Sequence, residues 1–308
     1  MHPLSLDVAG LDELLGRLPT LAGLPRRLED LPGGLTNRNV KVTTPKGVFV
    51  ARCCDTTSNL LGIDREREYL NTKAAERAGV GAPVIDYAPE LGILLLGYLE
   101  GKTLSDSDFG REGVIAKAAA AILALHRGPR FHGDFDMFER QPSYLDTVQR
   151  NGFRMPSDYL DHAEGFARIR EVLGTGDRTT VPCHNDLLAG NFIEDGDTVR
   201  LIDYEYSGNN DPHFELGNVW SECGLTLDQL DELVTAYHGR RSRRAIARAR
   251  LQGIVAKYGW TLWGCIQSAS CALDFDFWGW AMERYDGAVA EFRGPDFDRL
   301  LADAATPD

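Results

Sequence analysis

The chain has 308 residues, of which 43% are hydrophobic and 26% are charged, and it is long enough for two lobes rather than one small core. Its formal net charge of −13 argues against a nucleic-acid-binding surface, and no apolar run is long enough for insertion into a membrane. The six cysteines show neither the pair spacing of a metal site nor the framework of a small secreted domain, so we expect reduced thiols in a cytoplasmic protein.

The first hundred residues alternate helix and strand signals. Spaced leucines among acidic residues predict a helix over residues 1–31, and an apolar run predicts a strand at 47–52. A second helix is predicted at 64–77. A strand at 92–96 then runs into residues 97–101, which begin and end with glycine and are typical of a hinge.

Helix signals dominate after the hinge. They are interrupted by a hairpin with Asp-Gly at its turn, between strands at 191–193 and 198–202. The predicted helices cover residues 113–126, 158–173, 227–238, 242–272 and 275–292. This layout indicates an α+β protein with a small lobe that contains strands, a hinge and a larger, mainly helical lobe.

The residues most informative about chemistry flank the hairpin. Asp186 and Asn191 stand five residues apart on a loop, the spacing with which an Asp-x₄-Asn loop places a base beside a metal ligand. Asp203 follows the second hairpin strand, which returns it beside that loop, and a carboxylate there can hold Mg²⁺ at nucleotide phosphates. When either the loop or the strand that ends in aspartate occurs alone, its polar residues are more often structural than catalytic. Together they predict a phosphoryl-transfer centre of Asp186, Asn191 and Asp203, with Asn191 and Asp203 as the metal ligands.

Two segments of the chain resemble the choline/ethanolamine kinase family. They are HNDLLAGNF at 184–192 and LIDYEYSGNNDPHFELGN at 201–218. This family lies within the aminoglycoside-phosphotransferase and protein-kinase-like group. The resemblance implies a two-lobed, protein-kinase-like α+β fold, with a nucleotide-binding lobe of residues 1–97 and a catalytic and acceptor-binding lobe of residues 98–308. It also implies ATP and Mg²⁺ as cofactors.

The same resemblance implies a nucleotide site in the first lobe. Residues 33–39 resemble a short phosphate-covering loop, although Gly-Gly before polar residues is by itself usually a turn. Arg52 falls where protein kinases keep a strand lysine, and Glu68 on the next helix matches the acid that pairs with it. The nucleotide-binding positions are Gly34, Leu35, Thr36, Asn37, Arg52, Glu68 and the hinge residues Gly97, Tyr98 and Leu99.

Four of the five tryptophans fall within residues 260–280. Aromatic clusters are usually core, and at about 100° per residue the apolar positions of 251–266 form a good core stripe. Trp260 and Trp263 fall away from that stripe, beside small or polar residues, which favours the walls of a pocket. A quaternary ammonium offers no N–H donor, so its site must rely on aromatic faces and carboxylates.

This tryptophan-rich segment resembles the choline-binding region of choline kinases. The acceptor-binding positions that the resemblance implies are Asp186, Glu205, Glu222, Trp260, Trp263, Phe277, Trp280 and Arg284. Phe277 and Trp280 stand where tyrosine is more typical, which keeps an aromatic box but removes hydroxyl groups. Asp211 and Glu215 fit capping and loop bracing.

We therefore expect an ATP-dependent phosphotransferase that acts on the hydroxyl of a small cationic amino alcohol, with choline favoured. Kinases for ethanolamine, thiamine or an aminoglycoside-type antibiotic are the alternatives, although a polyhydroxylated polyamine calls for a broad acidic groove. A non-catalytic kinase-fold protein that captures a cation would be expected to lose base or metal positions, and all three are present. Neither a nucleic-acid partner nor membrane insertion is expected.

Overall fold

A five-stranded antiparallel sheet forms the N-terminal lobe of the computed structural model, which describes residues 6–54, 60–174 and 179–307. Its strands are β1 (Arg27–Asp30), β2 (Asn37–Thr44), β3 (Gly47–Cys54), β4 (Val84–Ala88) and β5 (Ile93–Gly97). They lie in the order β1-β2-β3-β5-β4. The strands predicted at 47–52 and 92–96 are confirmed as β3 and β5.

The N-terminal helix is much shorter than the sequence predicts. Helix α1 covers only Val8–Leu15, and its leucines pack in the hydrophobic core of this lobe. Pro19 and Pro25 follow the helix, and proline lacks the N–H that an inner helical turn requires. Residues 27–30 form β1 instead, paired with β2. The prediction of helix over the first 31 residues is therefore wrong, and the first five of them lie outside the described ranges.

Helix α2 (Arg65–Arg77) confirms the helix predicted at 64–77. Asp64 caps it by accepting hydrogen bonds from the N–H groups of Glu66 and Arg67, and acidic residues in the first turn suit the positive end of the helix dipole. The helix buries Glu68, which is 2% exposed. A carboxylate can be buried in this way only with charged or hydrogen-bonding partners.

The C-terminal lobe is mainly helical. Its helices are α3 (Val114–His126), α4 (Met137–Asn151), α5 (Ala163–Leu173), α6 (Pro212–Glu222), α7 (Leu227–His238), α8 (Arg243–Ser270), α9 (Phe277–Phe292) and α10 (Phe297–Ala305). Its strands are β6 (Lys102–Thr103), β7 (Val181–Cys183), β8 (Phe192–Asp195), β9 (Thr198–Leu201) and β10 (Gly208–Asn210). Strands β8 and β9 form the predicted hairpin. The two-lobed α+β fold is confirmed, while the division at residue 97 stays a prediction.

Helix α8 is buried on all sides within the C-terminal lobe. The predicted apolar stripe within 251–266 is buried, but so are the small residues on the other faces. A Cβ atom on Gly253 would lie 2.7 Å from Gly217 O of α6, so the small residues permit close helix packing. Trp260 and Trp263 are only 3% and 5% exposed. Burial alone therefore does not distinguish a core face from a pocket face on this helix. No helix of the described residues is both long and apolar enough to cross a membrane.

Candidate active site

The loop between β7 and β8 carries Asp186 and Asn191 and is held by its own polar side chains. His184 Nε2 donates to Ile202 O at 2.7 Å, and His184 Nδ1 accepts from the Asp186 N–H at 3.3 Å. Burial lowers the pKa of His184, so the neutral tautomer with its proton on Nε2 fits both hydrogen bonds. Asn191 Nδ2 donates to Asp186 O at 2.8 Å, which leaves Asn191 Oδ1 as the atom available to a cation.

Asn185 sets the direction of the chain directly before Asp186. Its φ is +69°, in the left-handed region that asparagine enters more readily than most residues. Its side-chain amide donates to Tyr206 O at 3.1 Å, and its N–H donates to Glu215 Oε2 at 3.2 Å. Glu215 is fully buried on α6. The backbone that presents Asp186 is thus braced by a carboxylate from a helix, which supports the bracing role expected for Glu215.

Asp203 follows β9 and has a φ of +75°. Asp203 and Asn185 are the two non-glycine residues with positive φ in the described part of the chain, and such conformations concentrate at functional sites. Both carboxylate oxygens of Asp203 accept from Arg52 of the N-terminal lobe, from Nη1 at 3.0 Å and from Nη2 at a closer contact. Burial raises the pKa of Asp203 to about 6, while the Arg52 guanidinium acts in the opposite direction.

The predicted ion pair between Arg52 and Glu68 is present. Arg52 Nε lies 2.5 Å from Glu68 Oε1, and the side chains are only 4% and 2% exposed. Arg65 joins this pair, with its Nη1 2.7 Å from Glu68 Oε2 and 2.9 Å from Glu205 Oε2. Arg65 is absent from the sequence-based prediction. Its position one helical turn before Glu68, which puts both side chains on one face of α2, is the signal that could have identified it.

The predicted phosphate-covering loop, residues 33–39, lies against the C-terminal lobe, and its last three residues form the start of β2. Gly34 has a φ of +89°, and a Cβ atom there would lie 2.7 Å from Asn37 O, so this turn requires glycine. Leu35 packs against the hydrophobic core of the C-terminal lobe, and its carbonyl accepts from Gln267 Nε2 at 3.3 Å. The loop is therefore attached to the end of α8.

A cavity of about 100 Å³ lies between this loop and the tryptophans of the C-terminal lobe. Its lining contains most residues that the sequence assigns to chemistry and acceptor binding, namely Asp186, Asn191, Asp203, Glu205, Glu222, Trp260, Trp263 and Trp280, together with Gly34, Leu35 and Thr36. Leu188 and Tyr206 also line it and are absent from the sequence-based prediction. The position of Tyr206 directly after Glu205 is the signal that could have identified it.

Two residues that are predicted to bind the acceptor substrate contact residues of the cavity lining without lining the cavity themselves. Phe277 is 3% exposed and packs edge-on against Trp263, with ring centroids 5.9 Å apart. Arg284 Nη2 donates to Glu222 Oε2 at 2.9 Å, and the guanidinium carbon of Arg284 lies 3.8 Å from the centre of a Trp280 ring. These two residues support the lining residues but do not line the cavity.

The N–H groups of the two buried indoles already have acceptors. Trp260 Nε1 donates to Asn218 Oδ1 at 3.0 Å, and Trp263 Nε1 donates to the Tyr206 hydroxyl at 2.7 Å. The N–H groups of Trp260 and Trp263 are therefore not available to a ligand, and the contribution of these two side chains to the cavity is aromatic surface. Aromatic faces attract cations.

The predicted hinge residues Gly97, Tyr98 and Leu99 lie at the end of β5. The Gly97 N–H donates to Pro83 O at 2.8 Å, and the Tyr98 N–H donates to Val48 O at 3.1 Å. Both donors are thus used by the N-terminal lobe. Within the described part of the chain, the Leu99 N–H has no backbone acceptor, so it is the predicted hinge donor left for an adenine base.

Four carboxylates line the cavity, and three of them, Asp203, Glu205 and Glu222, are paired with arginines. Asp186 has no arginine or lysine partner among the described residues. Burial raises the pKa of Asp186 well above its ordinary value, and the three neighbouring carboxylates raise it further. A carboxylate with a raised pKa is a better proton acceptor, as a general base requires.

Comparison with known proteins relates this site to a family. Residues 27–252 match the model of the phosphotransferase enzyme family. Protein LicA of Haemophilus influenzae is 29% identical over 269 residues, which cover 83% of this chain and 77% of that protein. Ethanolamine kinase 2 of Homo sapiens is 31% identical over 291 residues, which cover 84% of this chain and 74% of the human protein.

Solved structures extend the likeness over the whole fold. A choline/ethanolamine kinase family protein from Mesorhizobium loti aligns with a TM-score of 0.85 and 30% identity, covering 96% of this chain and 98% of that one. The choline kinase LicA from Streptococcus pneumoniae has the same fold, with a TM-score of 0.76 and 23% identity. Its alignment covers 96% of this chain and 98% of that one. The chain therefore belongs to the phosphotransferase enzyme family and, within it, to the choline/ethanolamine kinases, which makes it a small-molecule kinase.

Proposed function

We propose that this kinase transfers the terminal phosphoryl group of ATP to the hydroxyl of a small cationic amino alcohol, with choline as the favoured acceptor. The observation that supports this proposal is the cavity in which Trp260, Trp263 and Trp280 lie together with the unpaired carboxylate of Asp186. Aromatic faces attract a quaternary ammonium without any hydrogen bond to nitrogen. The acceptor hydroxyl would then lie beside the base.

Asp186 would accept the proton of the acceptor hydroxyl. The loop that carries it is held by a hydrogen bond from the Asp186 N–H to His184 Nδ1 and by one from Asn191 Nδ2 to Asp186 O. Because phosphoryl transfer depends mainly on positioning and electrostatic stabilisation, a base on a fixed loop suits this reaction.

Asn191 and Asp203 offer the oxygen ligands that Mg²⁺ prefers. The donor set fits, because Asn191 Nδ2 is bound to Asp186 O and Oδ1 is left for a cation, and because the Asp203 carboxylate lines the same cavity. When bound, Mg²⁺ would neutralise charge on the nucleotide phosphates. Arg52 and residues 33–39 would bind those phosphates through a guanidinium and backbone N–H groups.

The size and lining of the cavity distinguish the alternative acceptors. Ligands of drug size occupy pockets of about 300–1,000 Å³, whereas this cavity measures about 100 Å³, which disfavours an aminoglycoside. Ethanolamine would fit, and it is the second candidate because the human relative is an ethanolamine kinase. Its primary ammonium is strongly hydrated, however, and indole faces accept no hydrogen bonds of the kind that water supplies. Glu222, which could accept them, is paired with Arg284.

An acceptor panel tests this proposal. ADP release is measured with Mg-ATP and a range of concentrations of choline, ethanolamine, thiamine or kanamycin, and a reaction without acceptor is subtracted. We expect the highest kcat/KM with choline, a lower value with ethanolamine, and no release above the control with kanamycin. Faster turnover with kanamycin than with choline would overturn the proposal.

A further inference from the structure

Glu205 belongs to the C-terminal lobe but is bound by the N-terminal lobe. It follows β9 two residues after Asp203, and its side chain is 4% exposed. Its Oε1 accepts from Thr36 Oγ1 at 2.6 Å, and its Oε2 accepts from Asn37 Nδ2 at 2.8 Å. Both donors belong to the phosphate-covering loop.

Two arginines from other elements of the N-terminal lobe complete the set of donors. Arg52 Nη2 of β3 lies 3.1 Å from Glu205 Oε2, and Arg65 Nη1 of α2 lies 2.9 Å from the same oxygen. One carboxylate of the C-terminal lobe thus joins the phosphate-covering loop, the strand that carries the predicted nucleotide-binding arginine, and the helix that carries Glu68.

Most of the hydrogen-bonding capacity of this carboxylate is used within the protein. Two carboxylate oxygens offer about four lone-pair positions, and of the four donors here three approach Oε2 and one approaches Oε1. A buried carboxylate is stable only when it is matched in this way. Asn191 differs, because its Oδ1 has no donor from the described residues.

We propose that Glu205 is a positioning residue that fastens the phosphate-covering loop to the C-terminal lobe before any nucleotide binds, and that it is not a Mg²⁺ ligand. The role of this loop in nucleotide binding rests on the proposed function. The fastening itself does not, because it is a property of the ligand-free protein. A loop that is already ordered does not have to lose its conformational freedom when the nucleotide binds.

Hydrogen exchange of the ligand-free protein tests the proposal. In Glu205→Gln the negative charge is lost, and in either orientation of the amide its N–H₂ group replaces one of the two oxygens that accept from the N-terminal lobe. We expect exchange at the amides of residues 33–39 to accelerate by about 10- to 100-fold, the range for losing hydrogen bonds to a charged group. Thr36→Val removes one donor from the loop side with little change in shape, and a smaller acceleration at the same amides is expected.

Glu194→Gln is the matched control. Glu194 also lies in the C-terminal lobe and is paired with two basic residues, Arg111 and Lys117, but it does not contact the loop. Its substitution should leave exchange at residues 33–39 at the wild-type rate. The kinetic counterpart is a rise in KM for ATP in Glu205→Gln that exceeds the rise in KM for the acceptor, with an unchanged Mg²⁺ requirement.

Exchange at the wild-type rate in Glu205→Gln would overturn the proposal. A Mg²⁺ requirement that rises as it does in Asp203→Asn would then identify Glu205 as a metal ligand. Because the exchange is measured without substrates, this outcome is independent of the acceptor panel, and failure of the one proposal does not entail failure of the other.

Discussion

The predicted catalytic loop, residues 184–191, and the aromatic wall, Trp260, Trp263 and Trp280, are built in different ways. In the loop, the hydrogen bonds to the Asp186 backbone come from residues close in sequence, since Asn191 donates to Asp186 O and His184 accepts from the Asp186 N–H, although Asn185 is also held by Glu215 of α6. In the wall, the indole N–H groups of Trp260 and Trp263 donate to acceptors from distant parts of the chain. Trp260 donates to Asn218, which is 42 residues away.

Because of this difference, we expect substitution of the loop carboxylate to affect the reaction alone and substitution of a buried tryptophan to affect stability as well. The Asp186 carboxylate supports no ion pair among the described residues, so its removal changes the reaction and little else. Trp260 and Trp263 belong both to the cavity and to the hydrophobic core, so their removal would change ligand binding and folding together. The two regions should therefore respond differently to substitution.

The largest expected effect is that of Asp186→Asn. Loss of a general base typically lowers kcat by about 10²- to 10⁴-fold. The melting temperature should not fall, because burial raises the pKa of Asp186 in the folded protein, so that its ionised form opposes folding at neutral pH. Steady-state ADP release and thermal unfolding measure the two quantities. Retention of most of the wild-type kcat would contradict the assignment, and a lowered melting temperature would show that the carboxylate also supports the fold.

The next largest effect is on kcat/KM for the acceptor, which should fall about tenfold for each pH unit below the pKa of Asp186. Since the raised pKa keeps Asp186 protonated to a higher pH than an ordinary aspartate, the base form is lost as pH falls through that raised value. The acidic limb of kcat/KM for the acceptor should therefore lie above pH ~4, where an unperturbed aspartate titrates. Thermal unfolding at each pH serves as the control for denaturation. A profile that stays flat down to pH ~4 would argue against Asp186 as the base.

The same contrast explains how much of the site could be predicted from sequence. The spacing of Asp186, Asn191 and Asp203 is a local property of the sequence, because a loop and the hairpin that follows it bring these residues close together. The Arg52–Glu68 pair could be predicted from the order of a strand and a helix, given the family resemblance.

Other features depend on packing that no local pattern encodes. Leu35 is predicted to bind the nucleotide, but its contact with the hydrophobic core of the opposite lobe, on the wall of the cavity, could not be predicted from its sequence neighbours. The faces of α8 were ambiguous because neighbouring helices cover all of them, so that small residues mark close packing rather than exposure. Tyr206 lines the cavity, where its ring packs edge-on against Trp260 and its hydroxyl accepts from Trp263 Nε1, and both partners are more than 50 residues away in the sequence.

The smallest effect tests the central claim, that an aromatic cavity selects a quaternary ammonium. Trp280 and Trp278 are both half-buried on α9, and each has an arginine stacked on its ring, at 3.8 Å from Arg284 and 3.5 Å from Arg154. Of the two, Trp280 lines the cavity. Trp278→Leu is therefore the matched control for Trp280→Leu.

The measurement is the ratio of kcat/KM for choline to kcat/KM for ethanolamine in the wild type and in both variants. Trp280→Leu should lower this ratio by about 2- to 30-fold, the equivalent of a cation–π contribution of about 0.5–2 kcal/mol, and should leave KM for ATP unchanged. Trp278→Leu should leave the ratio at the wild-type value. An unchanged ratio in Trp280→Leu, or an equal loss in both variants, would contradict the claim that the cavity holds the cation.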